Sequence, residues 1–532
     1  MNLLRATGTI GGLTMVSRVA GFVRDMLLAR ILGPGMAADS FFVAFQLPNI
    51  FRRLFAEGAF AAAFVPLFSR KLGKDGELDA AEKFSSEVVS VFVPTLILFV
   101  ALFEIAMPAI IWLMASGFQE IPGKFELTVA LARITFPYLF LISMVALLAA
   151  ILNSMSRFAA GASFPILLNI VLIAALLLGD NASILIGDFA RGPDGDEIVV
   201  AYFLAGGVAL GGVVQLLWLW FWMKRSGFRL KFQRPRLTKD VKELGVIILP
   251  AAFGAGVYQI SQLVQLFFAT QLASGSVSHL NFADRLNQLP LGVIGIALGT
   301  AILPALSRHI GSGDKAEADK VQSNAIELAM LLTFPAAGAL MICAPAFVNA
   351  IFLGGQFDAE DARITSNVLA ALVAGLPAYV LIKVLTPAFF SRKDTRTPVY
   401  AAAIVLGFFI TFNIVMIERL GIVGIASATA VGAWLNVVML YTILQRRGHY
   451  RLNAGLVGRL FGQLLATAAM VGALYFVIPP LSAWFGGSII ERVLSIAALV
   501  STGMLVYFAV AALTGAIDRS KIALLLKRKA TD

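Results

Sequence analysis

Charged side chains inside long apolar segments are the residues of this sequence best suited to binding a ligand. Ten of them are candidates for a site, six basic and four acidic: Arg18, Arg24, Arg52, Arg53, Arg285 and Lys383, with Asp25, Asp39, Glu57 and Asp284. A charge at the centre of a membrane helix costs about 2.5–3.5 kcal/mol, so each needs a partner, a water-filled cavity or a role. Five of the six basic residues are arginines, whose forked donors match phosphate oxygens. The positive balance predicts a cavity for an anion such as a diphosphate.

Several of these residues have simpler explanations, which the sequence leaves open. Asp39 could cap the start of the second apolar segment. Arg53 and Glu57 are four residues apart, so they could simply neutralise each other on one helix face. Arg24 and Arg285 could extend their long side chains to the membrane surface.

Arg18 and Arg52 are harder to explain in this way because they lie deep within their segments. Pro48 stands one turn before Arg52 and predicts a bent, cavity-lining helix there. Glu57 and Lys383 lie equally far along their own segments, which belong to different halves of the chain. The sequence therefore predicts a gate between Glu57 and Lys383, in addition to the local pair of Glu57 with Arg53.

The composition identifies the elements that must position these charges. The chain has 532 residues, of which 59% are hydrophobic and only 14% charged, and its mean hydropathy is +0.87. These values exclude a soluble or disordered protein and predict an all-α polytopic membrane protein. Fourteen apolar stretches are long enough to cross the bilayer. They are residues 5–31, 37–68, 84–114, 127–152, 158–179, 198–223, 241–270, 281–307, 321–352, 364–390, 398–417, 421–445, 457–478 and 491–516.

Basic residues are distributed unequally between the connections. The termini and every second loop hold 29 Lys and Arg, whereas the other loops hold 6. The positive-inside rule then predicts fourteen transmembrane helices with both termini in the cytoplasm. The loop at 224–242 alone carries eight basic residues. Topology explains that charge, and so does binding of anionic lipid headgroups. Nucleic acid is not expected as a partner.

A weak internal repeat indicates how the helices are grouped. Pro66, Ser69 and Arg70 recur 238 residues later, an offset of six helices. An even number of helices preserves orientation, so the two six-helix lobes form a parallel repeat. The predicted division is 1–223 for the first lobe (helices 1–6), 224–240 for a basic cytoplasmic linker, 241–446 for the second lobe (helices 7–12), and 447–532 for two added helices with a basic tail. Two lobes around a cavity are typical of an alternating-access transporter.

Motifs of catalysis are missing from the sequence. It contains no Walker A pattern, no HExxH, no paired Asp-rich diphosphate motif and no GxSxG with a suitable histidine. The chain is therefore predicted to be a transporter and not an enzyme, without a cofactor or a metal ion. Coupling to the membrane potential or to an ion gradient is left open.

Three long stretches resemble the MurJ (MviN) family of the multidrug/oligosaccharidyl-lipid/polysaccharide exporter superfamily. They are SRVAGFVRD (17–25), DSFFVAFQLPNIFRRLFAEGAFAAAFVP (39–66) and FADRLNQLPLGVIGIALGTAILPALSR (282–308). The resemblance implies a lipid II flippase of the bacterial inner membrane, with undecaprenyl-diphosphate-linked peptidoglycan precursor as cargo. It also implies that the family's functional arginines correspond to Arg18, Arg24, Arg52 and Arg285, and that the last two helices hold the lipid tail.

The resemblance also carries one departure and several alternatives. Some family members hold a sodium ion with acids on helices 7 and 11, but here the apolar run of helix 7, residues 246–268, has no acid and helix 11 offers only Asn413 and Glu418. A sodium site of that kind is therefore not expected. The alternatives are a flippase for another polyprenyl-diphosphate oligosaccharide, a drug/cation antiporter, and a membrane scaffold for cell-wall enzymes. Other membrane lipids and cell-wall synthesis proteins are the remaining candidate partners.

Overall fold

The computed structural model describes residues 3–53, 60–72, 78–182 and 196–516. Within these ranges the regular structure is helical, apart from one isolated bridge between Gly354 and Phe357. Contacts along the chain define two compact units, Met1–Ser278 and His279–Asp532. The helix that follows the basic linker therefore groups with the first unit, whereas the sequence assigns it to the second lobe. The division into lobes, linker and added helices remains a prediction.

Within its described residues, the first unit contains nine helices and the first turn of a tenth. They are α1 (Leu3–Leu32), α2 (Met36–Phe51), α3 (Phe60–Lys71), α4 (Asp79–Ala115), α5 (Lys124–Thr135), α6 (Tyr138–Ser154), α7 (Phe158–Asp180), α8 (Asp196–Arg225), α9 (Lys239–Thr270) and α10 (Ser276–Gly311). A short 3-10 helix, Ser116–Glu120, follows α4.

Proline and aromatic residues explain the local features of this unit. α2 contains Pro48 and ends three residues later, at Phe51. The bend that the sequence predicts there remains a prediction. Phe51 at that end packs edge-on against Phe99 and Phe103 of α4, with ring centroids 5.1 Å apart in both cases. Phe103 also stacks on Phe136, which separates α5 from α6, at 5.2 Å. These rings fix the end of α2, and with it Arg52.

In the second unit, the residues described, His279 to Ala516, form the rest of α10 and seven further helices. They are α11 (Lys315–Ile342), α12 (Ala344–Phe352), α13 (Ala359–Val373), α14 (Leu376–Phe390), α15 (Arg396–Arg446), α16 (Ala454–Leu481) and α17 (Ile489–Leu513). One face of α16 is buried, through Gln463, Ala466, Met470 and Leu474. Such a one-sided pattern leaves the opposite face to the lipid.

Each of the fourteen predicted segments overlaps one or two helices of the described ranges, and residues 54–59 of the second segment lie outside these ranges. Nine helical segments in the described ranges are long and apolar enough to cross a membrane. One of these is the 51-residue α15, which contains two predicted segments that meet at Gly421, where φ is 53° and ψ is −136°. The other predicted segments coincide with α1, with α2 and α3, with α9 and with α10. The helical prediction is confirmed, and α1, α2 and α10 carry most of the predicted site.

Candidate functional site

Arg24 stands in a small polar cluster on α1. Its Nε and Nη2 donate to Oδ1 of Asp25 at 3.0 and 2.6 Å, and its Nη1 donates to Oδ1 of Asn169 on α7 at 2.9 Å. Asn169 in turn donates to the carbonyls of Ser17 and Pro165. Arg24 is thus held by two neighbours and does not simply extend to the membrane surface. A guanidinium oriented in this way has further N–H donors in the same plane, the geometry that suits phosphate oxygens.

The other predicted residues of the first unit lie on α1 and at the end of α2. Arg18 is exposed on α1, while Arg52 is half-buried and its Nε lies 3.3 Å from Oδ1 of Asn49. Arg53 is exposed. Glu57 lies outside the described residues, and so do the predicted pair with Arg53 and the gate with Lys383. Among the predicted residues of this unit, Arg24 and Asp25 are joined by hydrogen bonds.

Three predicted residues belong to the second unit. Asp284 accepts from Gln288, one turn further along α10, and Arg285 is exposed on the same helix. Lys383 on α14 lies over the backbone of α10, because a Cβ built on Gly295 would be 3.0 Å from its Cδ. The role of these residues in binding remains a prediction.

Asp39 is fully engaged, but not as a cap on its own helix. Its Oδ1 accepts from the backbone N–H and the hydroxyl of Ser278 at 2.8 and 2.6 Å. Its Oδ2 accepts from the N–H of Gly275 at 2.7 Å and from Nζ of Lys124 at 2.8 Å. The interpretation as a local cap of α2 is therefore wrong. Asp39 caps the start of α10, 239 residues away in sequence, where the helix dipole favours a negative charge.

Lys124 completes this arrangement, which we call the Asp39 cluster (Asp39, Lys124, Ser274, Gly275 and Ser278). Lys124 is 0% exposed, its Nζ also donates to the hydroxyl of Ser274 at 3.1 Å, and it lies 4.1 Å from the ring centre of Phe118. Four hydrogen bonds fill the carboxylate of Asp39, so both buried charges are satisfied.

Sequence reasoning missed Lys124 and Asn169. The sequence presents Lys124 only as one of the six Lys and Arg in the base-poor set of loops. Its occurrence in a loop with so few basic residues is the available signal. Asn169 lies in the apolar α7 and is buried. A polar amide in such a segment needs hydrogen-bond partners. Neither residue could have been assigned a partner from the sequence, because the partners lie 85 and 145 residues away.

Comparison with known proteins identifies the family. The family model described as "Lipid II flippase MurJ" matches residues 28–495. The "Probable lipid II flippase MurJ" of Rhizobium meliloti (strain 1021) is 40% identical over 536 residues, covering 100% of this chain and 97% of the relative. The protein of the same name from Vibrio cholerae is 35% identical and covers 96% of each chain.

Solved structures agree on the fold. A structure of "Lipid II flippase MurJ, inward closed conformation" superposes with a TM-score of 0.75 at 24% identity, covering 95% of this chain and 98% of that one. An inward-facing MATE family transporter of the MOP superfamily gives 0.58 at 17% identity, covering 82% and 97%. The predicted fourteen-helix membrane fold is thereby confirmed. The chain belongs to the MurJ family of lipid II flippases.

Proposed function

We propose that this protein flips lipid II from the cytoplasmic to the periplasmic leaflet of the bacterial inner membrane by alternating access. The observation that carries the proposal is the similarity to MurJ proteins over nearly the whole chain. The protein is a transporter and not an enzyme. Its cargo is an undecaprenyl diphosphate bearing the peptidoglycan precursor, which matches the positive balance of charge in the membrane segments.

The arginines supply the chemistry that a diphosphate requires. Arg18, Arg24, Arg52 and Arg285 each contact the headgroup in some state of the transport cycle. Arg24 is the best prepared of them, because Asp25 and Asn169 hold its guanidinium from two sides. An arginine oriented before the substrate arrives loses less side-chain entropy on binding. Asp25 and Asn169 are therefore positioning residues for Arg24.

The polyprenyl tail requires an apolar surface that remains in contact with the lipid. Helices α16 and α17 expose large apolar side chains, among them Phe461, Phe476 and Leu505. α16 has its polar contacts on the other face, where Nε of Arg459 lies 3.1 Å from Oε2 of Glu327 and Gln463 donates to the carbonyl of Glu327. We assign the outer face of these two helices to the tail.

The direct test is translocation of labelled lipid II by the purified protein in vesicles, together with rescue of a strain depleted of its own flippase. Arg24→Ala is expected to abolish both, and Asn169→Ala to lower transport several-fold with normal protein levels. The matched control is Arg363→Ala, which removes an exposed arginine paired with Glu360. Normal lipid II translocation by Arg24→Ala would contradict the assignment. Transport of a different polyprenyl-diphosphate oligosaccharide in place of lipid II would assign that molecule as the cargo.

The source of energy is tested in the same vesicles. Helix α9 contains no acid from Leu244 to Thr270, so we expect transport to respond to membrane potential more than to a sodium gradient. Moving one charge across 100 mV is worth about 2.3 kcal/mol. Strict dependence on sodium at constant potential would exclude this mode of coupling.

A further inference from the structure

The connection between α8 and α9 carries six basic residues and no acid over residues 224–238. We call this segment the basic strap. Its basic residues are Lys224, Arg225, Arg229, Lys231, Arg234 and Arg236. The nearest acids on the following helix, Asp240 and Glu243, pair with Lys71 and Arg70. The positive charge of the strap is therefore not neutralised by these acids.

The strap is held against α4 through its backbone. Every second backbone N–H donates to a side chain of α4, and the acceptors are four residues apart on one helix face. The pairs are Arg229 with Glu82 at 2.7 Å, Lys231 with Ser86 at 3.0 Å, and Gln233 with Ser90 at 2.8 Å. In an extended chain every second residue faces the same side, and on a helix the same face returns about every four residues. The two elements therefore stay in register over these three contacts. In these three bonds the strap contributes backbone N–H groups and not its basic side chains.

Both ends of the strap are fixed as well. Phe228 is buried and packs 5.8 Å from the ring of Phe68. Thr238 caps α9 by accepting from the N–H of Val241, and its hydroxyl donates to Glu87 at 2.8 Å. The strap is therefore an ordered part of the first unit, with a defined inner and outer side.

The outer side combines positive charge with exposed apolar groups. All six basic side chains are exposed, and so are Phe232 and Leu237, each at 67%. An aromatic ring left uncovered between arginines is unfavourable in water but typical of a segment at a membrane surface. The last turns of α8 also indicate a position at the membrane surface. Trp218, Trp220 and Trp222 lie there, and Nζ of Lys224 is 5.6 Å from the ring centre of Trp220. Tryptophan is enriched at membrane–water interfaces.

We propose that the basic strap binds the headgroups of anionic phospholipids in the leaflet that it faces, with Phe232 and Leu237 inserted between the acyl chains. The attraction of lipid phosphates to each basic residue near the surface corresponds to about a fivefold gain in affinity. Attachment through the backbone leaves the arginine side chains available for phosphate oxygens. This inference concerns the bulk phospholipids and does not depend on which lipid is transported.

Insertion is measured with a fluorophore that reports its surroundings. Phe232→Cys is introduced together with Cys343→Ala, which removes the single native cysteine, a buried residue. The full-length protein is labelled and placed in vesicles of phosphatidylcholine, with or without phosphatidylglycerol. We expect a blue shift and stronger emission when phosphatidylglycerol is present, and reversal by high salt. Identical spectra in both vesicles would overturn the proposal, and this is the result that a protein partner on the strap would give.

Charge variants test the residues themselves. Arg229, Lys231, Arg234 and Arg236 are changed to Gln together, and retention of phosphatidylglycerol by the purified protein is compared with wild type. The matched control changes four exposed basic residues of other loops to Gln: Lys315, Arg396, Arg446 and Arg451. We expect the strap variant to lose retention at least tenfold and the control to change less than twofold. Equal losses would overturn the assignment, because they would mean that only total charge matters.

The attachment to α4 is tested without altering any charge. Ser86→Ala with Ser90→Ala removes two of the three acceptors. We expect retention to fall several-fold although all basic residues remain. Retention equal to wild type would show that a fixed strap is not required. All three readouts are lipid binding, so their failure is distinct from a failure to transport lipid II.

Discussion

Ion pairs lie near both ends of helix α9 in the first unit, and they differ in how deeply they are buried. Beyond its C-terminal end lies the Asp39 cluster, whose two charged side chains are at most 1% exposed. At its N-terminal end, Lys71 pairs with Asp240 and Arg70 pairs with Glu243, and these side chains are 29–65% exposed. The distances are similar, at 2.6–2.9 Å.

The difference shows that distance alone does not determine what an ion pair contributes. In the Asp39 cluster neither charge can be rehydrated if its partner is lost, so removing one leaves a buried, uncompensated charge. At the other end water and salt screen each charge, and the median contribution is about 0–1 kcal/mol. The two ends of α9 should therefore respond very differently to the same kind of substitution.

The largest effect is expected for Asp39→Asn. The amide is uncharged and leaves Lys124 without its counter-ion, at a cost of about 3–5 kcal/mol. We expect the apparent Tm of the purified protein to fall by roughly 5–10 °C. The matched control at the exposed end is Asp240→Asn, which removes the same charge and should lower the Tm by about 1–2 °C at most.

A second substitution separates the lost charge from a general defect in packing. Lys124→Met together with Asp39→Asn removes both charges, so part of the lost Tm should return. If Asp39→Asn and Asp240→Asn give the same Tm, or if the double variant is no better than Asp39→Asn, the buried pair is not what stabilises this end.

The next effect sharpens the comparison without any charge. Gly117 precedes Phe118, whose ring lies against Lys124 of the Asp39 cluster. It allows the turn after α4 to approach the end of α9. A Cβ on Gly117 would lie 2.2 Å from the carbonyl oxygen of Thr270 and 2.8 Å from the Cα of Gln271. Backbone atoms cannot move aside as a flexible side chain can, so we expect Gly117→Ala to cost about 1–3 kcal/mol.

Gly206→Ala is the control, because nothing lies within 4 Å of a Cβ at that position in α8. Alanine there should be neutral or slightly stabilising. A Tm for Gly117→Ala equal to that of Gly206→Ala would show that the close approach to α9 can relax.

How much the sequence predicts also differs between parts of the molecule. The helices follow from runs of apolar residues, which depend only on near neighbours, and even the break in α15 at Gly421 lies where two segments were separated. A bend near Pro48 is predicted from the missing N–H of proline. The contacts of Asp39 could not be predicted in this way, since its partners come from α5 and α10.

The candidate site is less predictable from the sequence than the helices are, but more predictable than the contacts of Asp39. An arginine inside an apolar segment is recognisable because a charge there is costly. Arg18, Arg24 and Arg52 can therefore be named as candidates from the sequence alone. The orientation of Arg24 is not, because Asn169 is one amide in a long apolar helix. Pairing between distant positions depends on how the helices pack, and apolar periodicity gives no information about which faces meet.

Asp394 gives a half-buried counterpart to the fully buried Asp39, since it also accepts hydrogen bonds at the start of a helix. Bonds from the hydroxyl and the backbone N–H of Thr397, and then from Arg447, lower the pKa of Asp394 to about 2. A depressed pKa in the folded state stabilises the protein above the usual pKa of about 4, and this contribution is lost as the pH falls from 4 towards 2. Asp394→Asn should cost about 1 kcal/mol at pH 7.

The measurement is the Tm difference between wild type and Asp394→Asn at pH 7 and at pH 3. The difference should shrink at the lower pH, because wild-type Asp394 begins to bind a proton there. A difference that is the same at both pH values would show that the charge of Asp394 is not what stabilises the start of α15.

The smallest effects belong to the exposed pairs at the N-terminal end of α9. A double-mutant cycle with Lys71→Met and Asp240→Asn should give a coupling of about 0.5–1 kcal/mol, because this pair is about one-third exposed and Nζ also lies 5.6 Å from the ring centre of Phe84. The same cycle with Arg70→Met and Glu243→Gln should give less than about 0.5 kcal/mol, since those side chains are 65% and 42% exposed.

Raising the salt concentration to about 1 M should weaken both couplings, as the Debye length falls to about 3 Å, but should leave the effect of Asp39→Asn nearly unchanged. A coupling at Arg70–Glu243 as large as the loss in Asp39→Asn would mean that burial is not what distinguishes the two ends of this helix.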